Sequence, residues 1–357
     1  MESIIQNALQ NIREEDEQVQ AGQPRIFIVG CGGAGNNTAD RLYSMGISGA
    51  EIISINTDKQ HLDCREADKK LLIGAELTKG LGAGGYPQVG KAAAEESKQE
   101  IKEWLREADL VFITAGMGGG TGTGSASVVA EIARNAGAIV IGVVTMPFKL
   151  EKARIFKAET GLMELRKNSD TVIVIDNNRL VEIAGNLPIG AAFSVADELI
   201  ATMIKGIVET IAVNSLVNLD YADVKAIMKD GGVAMIGVGE STSEHKAEEA
   251  VKKALNTPLL DVDYAGATGA LIHIVGGPDM TLDEANKIGD LVTAKLDDNA
   301  NVIWGARVDG HMEGRVRVMT IITGVNSPFI LGRIDEQQAK ANEAEKVRAE
   351  LGIEIIR

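Results

Sequence analysis

Glycine density gives the first sign of chemistry in this chain. From Ala115 to Ser125 the sequence reads AGMGGGTGTGS, placing six glycines in the nine residues 116–124. Each glycine costs an ordered backbone roughly 0.5–1 kcal/mol relative to alanine, so a mere connection would rarely carry so many. The segment lies between the apolar run DLVFIT and the helical pattern SASVVAEIARNA. It therefore offers successive N–H donors and two threonine hydroxyls at a helix N-terminus, which suits the β- and γ-phosphates of a nucleoside triphosphate. A second glycine turn, Gly30-Cys31-Gly32-Gly33-Ala34-Gly35, also follows an apolar strand and opens a helix. It matches the pattern GxGxxG, whose bare backbone can approach a phosphate. On its own it is a weak signal: a plain strand–helix turn remains the lesser alternative, and the pattern does not say which nucleotide is held.

Acidic residues form a third constellation, Asn218-Leu219-Asp220-Tyr221-Ala222-Asp223. If a helix begins here, Asp220 and Asp223 share a face and can hold a water or a cation beside a phosphate. An N-cap followed by an acidic third residue has the same spacing and no chemistry. A false lead lies at Gly85-Tyr86-Pro87-Gln88-Val89-Gly90-Lys91, which matches GxxxxGK but continues with Ala92. It lacks the Ser or Thr that would hold Mg²⁺, follows no apolar strand, and reads as a loop entering a helix.

Short β-branched runs separated by helical patterns must position these groups: RIFIVG, EIISIN, ADLVFITAG, AIVIGVV and DTVIVID. That alternation predicts an α/β fold, a Rossmann-like parallel sheet with helices on both faces. Residues 195–217 are largely apolar with helical character and read as a central helix. Beyond it VAMIGVGE, GALIHIVGG, NVIWGARV and RVRVMTIITGV read as strands, with helices over 243–255 and 282–297, giving a smaller α+β domain. The expected organisation is an N-terminal extension over 1–23, carrying Ile5, Leu9 and Ile12 at helical spacing, and a nucleotide domain over 24–197. A central helix follows over 198–218, with the acidic loop running on to 223. The C-terminal domain covers 219–332, and a charged linker with a terminal peptide covers 333–357.

A length of 357 residues gives a prior of about two domains, and 45% hydrophobic with 24% charged residues marks a globular chain. The net charge of -15 opposes binding to nucleic acid and to anionic membrane surfaces. Two cysteines, Cys31 and Cys64, lack zinc or redox spacing and fit a reducing cytoplasm. Neither a signal peptide nor an apolar span of about 20 residues is expected.

These motifs, in this order, resemble the tubulin/FtsZ family of cell-division GTPases from about residue 25 to 332. GMGGGTGTG is similar to the family's signature loop, GCGGAGNN to its first nucleotide loop, INTD to its second, GLGAGG to its third and NLDYAD to its catalytic synergy loop. NLPIGAAFSV and NVIWGAR look most like the archaeal branch. The resemblance implies a GTPase that binds GTP and GDP with Mg²⁺ and polymerises head to tail into filaments of the mid-cell division ring. It implies nucleotide contacts at Gly32, Gly33 and Asn36, and phosphate contacts at Gly118, Gly119, Gly120, Thr121, Gly122 and Thr123. Glu151 and Arg154 would meet the ribose and nearby groups, Asn177 and Asp197 would read guanine, and Phe193 would lie against the purine. Between Glu151 and Arg154 the chain is one residue shorter than many relatives and lacks their usual glycine. Asn218, Asp220 and Asp223 would complete the site on a neighbouring subunit, the C-terminal domain would thereby act as the GTPase-activating part, and LGIEIIR resembles peptides that recruit a membrane-anchoring partner. Two alternatives stand beside this reading. One is a nucleotide-binding filament protein without turnover. The other is a nicotinamide-dependent oxidoreductase, which needs an acidic ribose ligand where Asn56-Thr57-Asp58 ends the second strand.

Overall fold

The computed structural model describes residues 24–212, 221–229, 231–256 and 263–325. Six strands form a parallel array: β1 (Ile26–Cys31), β2 (Ala50–Asn56), β3 (Lys69–Leu72), β4 (Leu110–Gly116), β5 (Ile139–Met146) and β6 (Thr171–Asp176). Their order is β3-β2-β1-β4-β5-β6. All of β1 and β6 and nearly all of β4 are buried, as strands covered on both faces must be. Each fully buried Ile, Val or Phe there contributes on the order of 1.5–3 kcal/mol. The strand order reverses between β1 and β4, so the chain leaves those neighbours in opposite directions. A crevice opens at their carboxyl ends, where ligands of such sheets bind.

Four further strands extend the sheet: β7 (Gly232–Ser241), β8 (Gly269–Gly276), β9 (Asn301–Val308) and β10 (Val316–Thr323). β7 meets β6 in parallel through only two residue pairs, Thr171 with Gly232 and Val172 with Val233. Antiparallel pairing then runs from β7 to β10 and from β10 to β8, and β9 closes the edge in parallel with β8. A helix from Ile189 to Ala212 runs beside both parts, burying Ile200, Met203, Ile204, Ile207 and Val208. Gly206 lets it approach β10 closely, since a Cβ there would stand 2.7 Å from Met319 Sδ.

The long helix begins at Ile189, six residues before the expected 195. Pro188 presets the entry, and its carbonyl accepts from Ala192 N at 3.0 Å. The helix expected over 243–255 starts at Lys246, because Ser243 spends its hydroxyl on His245 N and its own N–H on Ser241 Oγ. The helix expected over 282–297 ends at Thr293. It starts at Leu282 behind a reciprocal cap between Thr281 and Glu284. The expected N-terminal helix, the C-terminal linker and peptide, and residues 213–220 lie outside the described residues. Among the described residues no helix is long and apolar enough to cross a membrane.

Candidate active site

The carboxyl ends of β1, β4, β5 and β6 surround a cleft of about 540 Å³, a size ordinary for a small-molecule site. Cys31, Gly33 and Ala34 come from the first glycine turn, and Gly116, Met117, Gly119, Gly120, Thr121 and Gly122 from the second. Thr145, Pro147, Phe148, Leu150, Glu151, Arg154, Asn177 and Phe193 complete the wall. Both glycine motifs thus meet in one place.

Their glycines do different work. A Cβ on Gly35 would stand 2.2 Å from the Thr114 carbonyl oxygen, and one on Gly30 2.5 Å from that of Gly35. These two let the Gly32–Met45 helix press onto β1 and β4. Gly32 takes φ +70, and a Cβ there would stand 2.6 Å from Gly122 N, so the two loops touch. In the second loop Gly118 takes φ +93 against the Arg154 carbonyl, while a Cβ on Gly120 would stand 2.8 Å from Ala83 Cβ. Gly124 seats the Thr121–Asn135 helix against the Pro87–Glu96 helix, 2.1 Å from the Pro87 carbonyl oxygen for an added Cβ. Gly119 alone among these has nothing within 4 Å of an added Cβ and no left-handed φ, so its bare backbone serves the cleft rather than the fold.

Polar side chains brace the loops. Thr123 is buried, and its Oγ1 accepts from Gly118 N at 2.9 Å, so it shapes the loop from behind and does not line the cleft. Thr121 Oγ1 lies 2.6 Å from that of buried Thr57. Asn36 is wholly buried, donating through Nδ2 to Gly30 O at 2.8 Å and Ile55 O at 3.2 Å. Asn56 occupies the end of β2, buried and bonded to Asn36 Oδ1 at 2.8 Å. That position therefore supplies no acidic ribose ligand of the nicotinamide kind. Burial pushes the Cys31 thiol up to about 12, only partly opposed by its hydrogen bond with Ser125, so this cleft cysteine is no nucleophile.

At the other end of the cleft, Phe193 stands edge-on to Phe148, with ring centroids 6.0 Å apart. Asp197 follows Phe193 by one helical turn. Burial raises its carboxyl to about 6 from the ordinary 3.8, against the opposing effect of the Thr38 hydroxyl 3.2 Å away. Asn177 opens the helix after β6, fixed by Asp176, which caps Asn178 N at 2.8 Å. Glu151 accepts from Phe148 N at 3.0 Å and from Arg154 Nη1 at 2.5 Å. Lys152, beside them, takes φ +28 within the stretch that lacks the glycine the resemblance expects. Phe148 and Thr145 were not singled out in the sequence; both follow the apolar core of β5, the one signal that could have found them.

Asn218 and Asp220 lie outside the described residues. Asp223 is half-buried on the Tyr221–Met228 helix. Tyr221 Oη donates to the Asp109 carbonyl at 2.8 Å, and Thr171 Oγ1 donates to that of Met228 at 2.6 Å. Asp109 precedes β4 and Thr171 begins β6, so this helix sits at the amino ends of the strands whose carboxyl ends form the cleft.

A parallel sheet with two glycine loops at its switch point defines a nucleotide-binding α/β protein. Residues 25–185 match the model of the Tubulin/FtsZ family GTPase domain, and residues 232–326 match that of the FtsZ family C-terminal domain. Cell division protein FtsZ 2 of Methanocaldococcus jannaschii is 60% identical over 94% of this chain and 90% of its own length. Cell division protein FtsZ 2 of Halobacterium salinarum is 55% identical, over 97% and 90% respectively. The structure of the empty FtsZ dimer of M. jannaschii superposes with a TM-score of 0.80 at 52% identity, covering 89% of this chain and 92% of that one. The chain belongs to the Tubulin/FtsZ family, as a cell-division GTPase that binds guanine nucleotide.

Proposed function

We propose that the chain hydrolyses GTP in a cleft completed by a second copy of itself, and that copies so joined run head to tail into the filaments of a division ring. The position of Asp223 carries this reading. Its helix is tied to the start of β4, while the Gly116–Gly124 loop follows the end of that strand. β4 has seven residues, which at about 3.3 Å each separates the two ends by roughly 20 Å. A carboxylate so placed cannot orient water at its own cleft, but it can serve the cleft of a copy stacked end to end.

In this reading the loop from Gly118 to Thr123 holds the phosphates through its free backbone amides, with the Thr123 hydroxyl bracing Gly118 from behind, Gly32 and Gly33 beside the phosphates and Asn36 behind them. Glu151 and Arg154 meet the ribose, Phe193 lies on the purine, and Asn177 and Asp197 accept or donate to the guanine edge. Asn218, Asp220 and Asp223 of the neighbour orient the attacking water, and the Asp220 or Asp223 carboxylate takes up its proton as the γ-phosphate departs from GDP. Among the described residues no three acidic, His or Cys side chains converge to hold a metal. Mg²⁺ fits as a counterion held by phosphate oxygens and water, neutralising charge there. The organisation into a nucleotide domain over 24–197, a central helix over 198–218 and an activating domain over 219–332 assigns the two half-sites to different domains. The terminal peptide within 333–357 would recruit a membrane-anchoring partner and bring cytoplasmic filaments to mid-cell.

The test mixes two inactive variants. Asp220→Ala should bind GTP without turnover, and Asp197→Ala should fail to bind GTP while presenting an intact acidic loop. Phosphate release with light scattering should show activity restored in the mixture, and a wild-type rate per subunit that climbs with protein concentration. No restoration, together with a concentration-independent wild-type rate, would mean a self-contained site and sink the proposal.

A further inference from the structure

His61 lies on the short helix Lys59–Asp63 after β2, next to the first glycine turn, and none of the roles above uses it. Its protonated nitrogen follows from a chain of buried amides. Asn36 Nδ2 faces two carbonyl oxygens, those of Gly30 and Ile55, so its Oδ1 is the atom that points toward Asn56. Asn56 in turn presents Oδ1 to Asp58 N at 3.2 Å, which turns its Nδ2 toward Asn36 Oδ1 at 2.8 Å. The remaining hydrogen on that Nδ2 faces His61 Nδ1 at 3.4 Å. An amide hydrogen needs a lone pair opposite, so the network assigns Nδ1 as acceptor and places the ring proton on Nε2.

Nε2 lies beside the first glycine turn at the margin of the cleft, although His61 itself does not line it. A Cβ built on Gly33 would stand 3.8 Å from it, and Gly33 both lines the cleft and lies in the first turn of the Gly32–Met45 helix. An anion held by that helix N-terminus meets an N–H that needs no ionisation to donate. Burial and Arg65 keep the imidazole below its ordinary range, against Asp58 and Asp40, in keeping with a neutral donor.

We propose that His61 donates Nε2–H to a phosphate oxygen of the bound guanine nucleotide, and that Asn36 and Asn56 act as positioning residues that hold its tautomer. This rests on the nucleotide occupying the cleft with its phosphates at the two glycine loops. His61 then discriminates by phosphate rather than by base. A hydrogen bond to a charged group lost from a partly screened site corresponds to about a tenfold loss of GDP affinity.

The experiment uses the full chain and measures GDP by fluorescent-analogue binding, with guanosine as a competitor that lacks phosphate. His61→Ala should weaken GDP about tenfold while leaving guanosine unchanged, and His61→Gln, which keeps an N–H donor, should recover part of the loss. Nitrogen NMR of the labelled protein should find the Nε2–H tautomer in the free state and a shift at Nε2 when GDP, but not guanosine, is added. Wild-type GDP affinity in His61→Ala, or equal loss of GDP and guanosine, would overturn the assignment, as would an Nδ1–H tautomer. Phe193→Ala separates the two levels. If it weakens GDP and guanosine alike, the cleft reading stands whatever His61 does. If it affects neither, the cleft reading fails and the His61 proposal with it.

Discussion

Replacing Asp197 by Asn should make the nucleotide-free protein more stable and its grip on guanine weaker. The carboxyl stands at about 6 in the fold against an ordinary 3.8, chiefly because burial disfavours its charge. At about 1.36 kcal/mol per pH unit, ionising it in the folded state costs about 3 kcal/mol. Asp197 is half-buried, and solvent at its edge trims this toward about 2 kcal/mol. The sign follows from proton uptake. Between pH 3.8 and about 6 the folded state holds the proton more tightly than the unfolded chain, so this residue's contribution is favourable at acid pH and is lost as pH rises. Asn carries no such penalty and can still accept from Thr38. Urea unfolding of nucleotide-free protein should therefore show Asp197→Asn ahead by about 2 kcal/mol at pH 7.5 and by clearly less at pH 5. GTP affinity should fall by roughly tenfold or more through loss of the charge-assisted bonds proposed between Asp197 and the guanine edge. A variant less stable than wild type at pH 7.5, or a gain equal at both pH values, would refute the reasoning.

Gly119→Ala and Gly124→Ala should separate binding from folding. The first adds a methyl to open space in the cleft and should spare the melting temperature while reducing GTP affinity. The second forces a Cβ to within 2.1 Å of the Pro87 carbonyl and should cost stability by more than about 2 kcal/mol in denaturant titration. Lys152→Gly should relieve the φ of +28 and raise stability by up to about 1 kcal/mol, net of the greater freedom glycine gives the unfolded chain. His273 is buried beside Thr210, and its imidazole is held down at about 4 from an ordinary 6.5. The unfolded chain thus takes up a proton that the fold refuses between those values, and stability falls as pH drops through that window by about 3 kcal/mol. Unfolding curves of His273→Asn against wild type should show a shallower acid decline, whatever the variant's stability at neutral pH.

Apolar runs made nine of the ten strands legible; in the parallel array they are long because strands covered on both faces leave little room for polar residues. β3 escaped notice: it is four residues, KKLL, at the sheet edge, where one side need not be apolar. Glycine density located the cleft, yet it did not sort the glycines. Gly30 and Gly35 serve helix–strand packing, whereas Gly119 serves open space, and only the neighbours across the fold distinguish them. Thr123 and Asn36 carry the residue types expected of ligand contacts but spend their polar atoms on the backbone of Gly118, Gly30 and Ile55. Phe148 had only its place after the apolar core of β5 to mark it, and His61 had no local pattern at all, since a lone imidazole gains meaning only from what the tertiary fold sets beside it.

A parallel sheet is polar along its strands, and that polarity bears on assembly. Every β-to-helix turn of β1, β4, β5 and β6 opens at one end, so amides and glycines collect there, while the Asp223 helix is held at the other. The two ends are chemically unequal, and a contact pairing them would be heterologous: it cannot close by a two-fold axis, and it repeats head to tail from copy to copy. On the proposed head-to-tail site, an open filament forms where the rotation between copies does not close. Each copy carries a net charge of -15, so copies laid side by side would repel one another. Filament length should accordingly follow nucleotide state, whereas side-by-side association should strengthen with salt or divalent cations that screen the like charges.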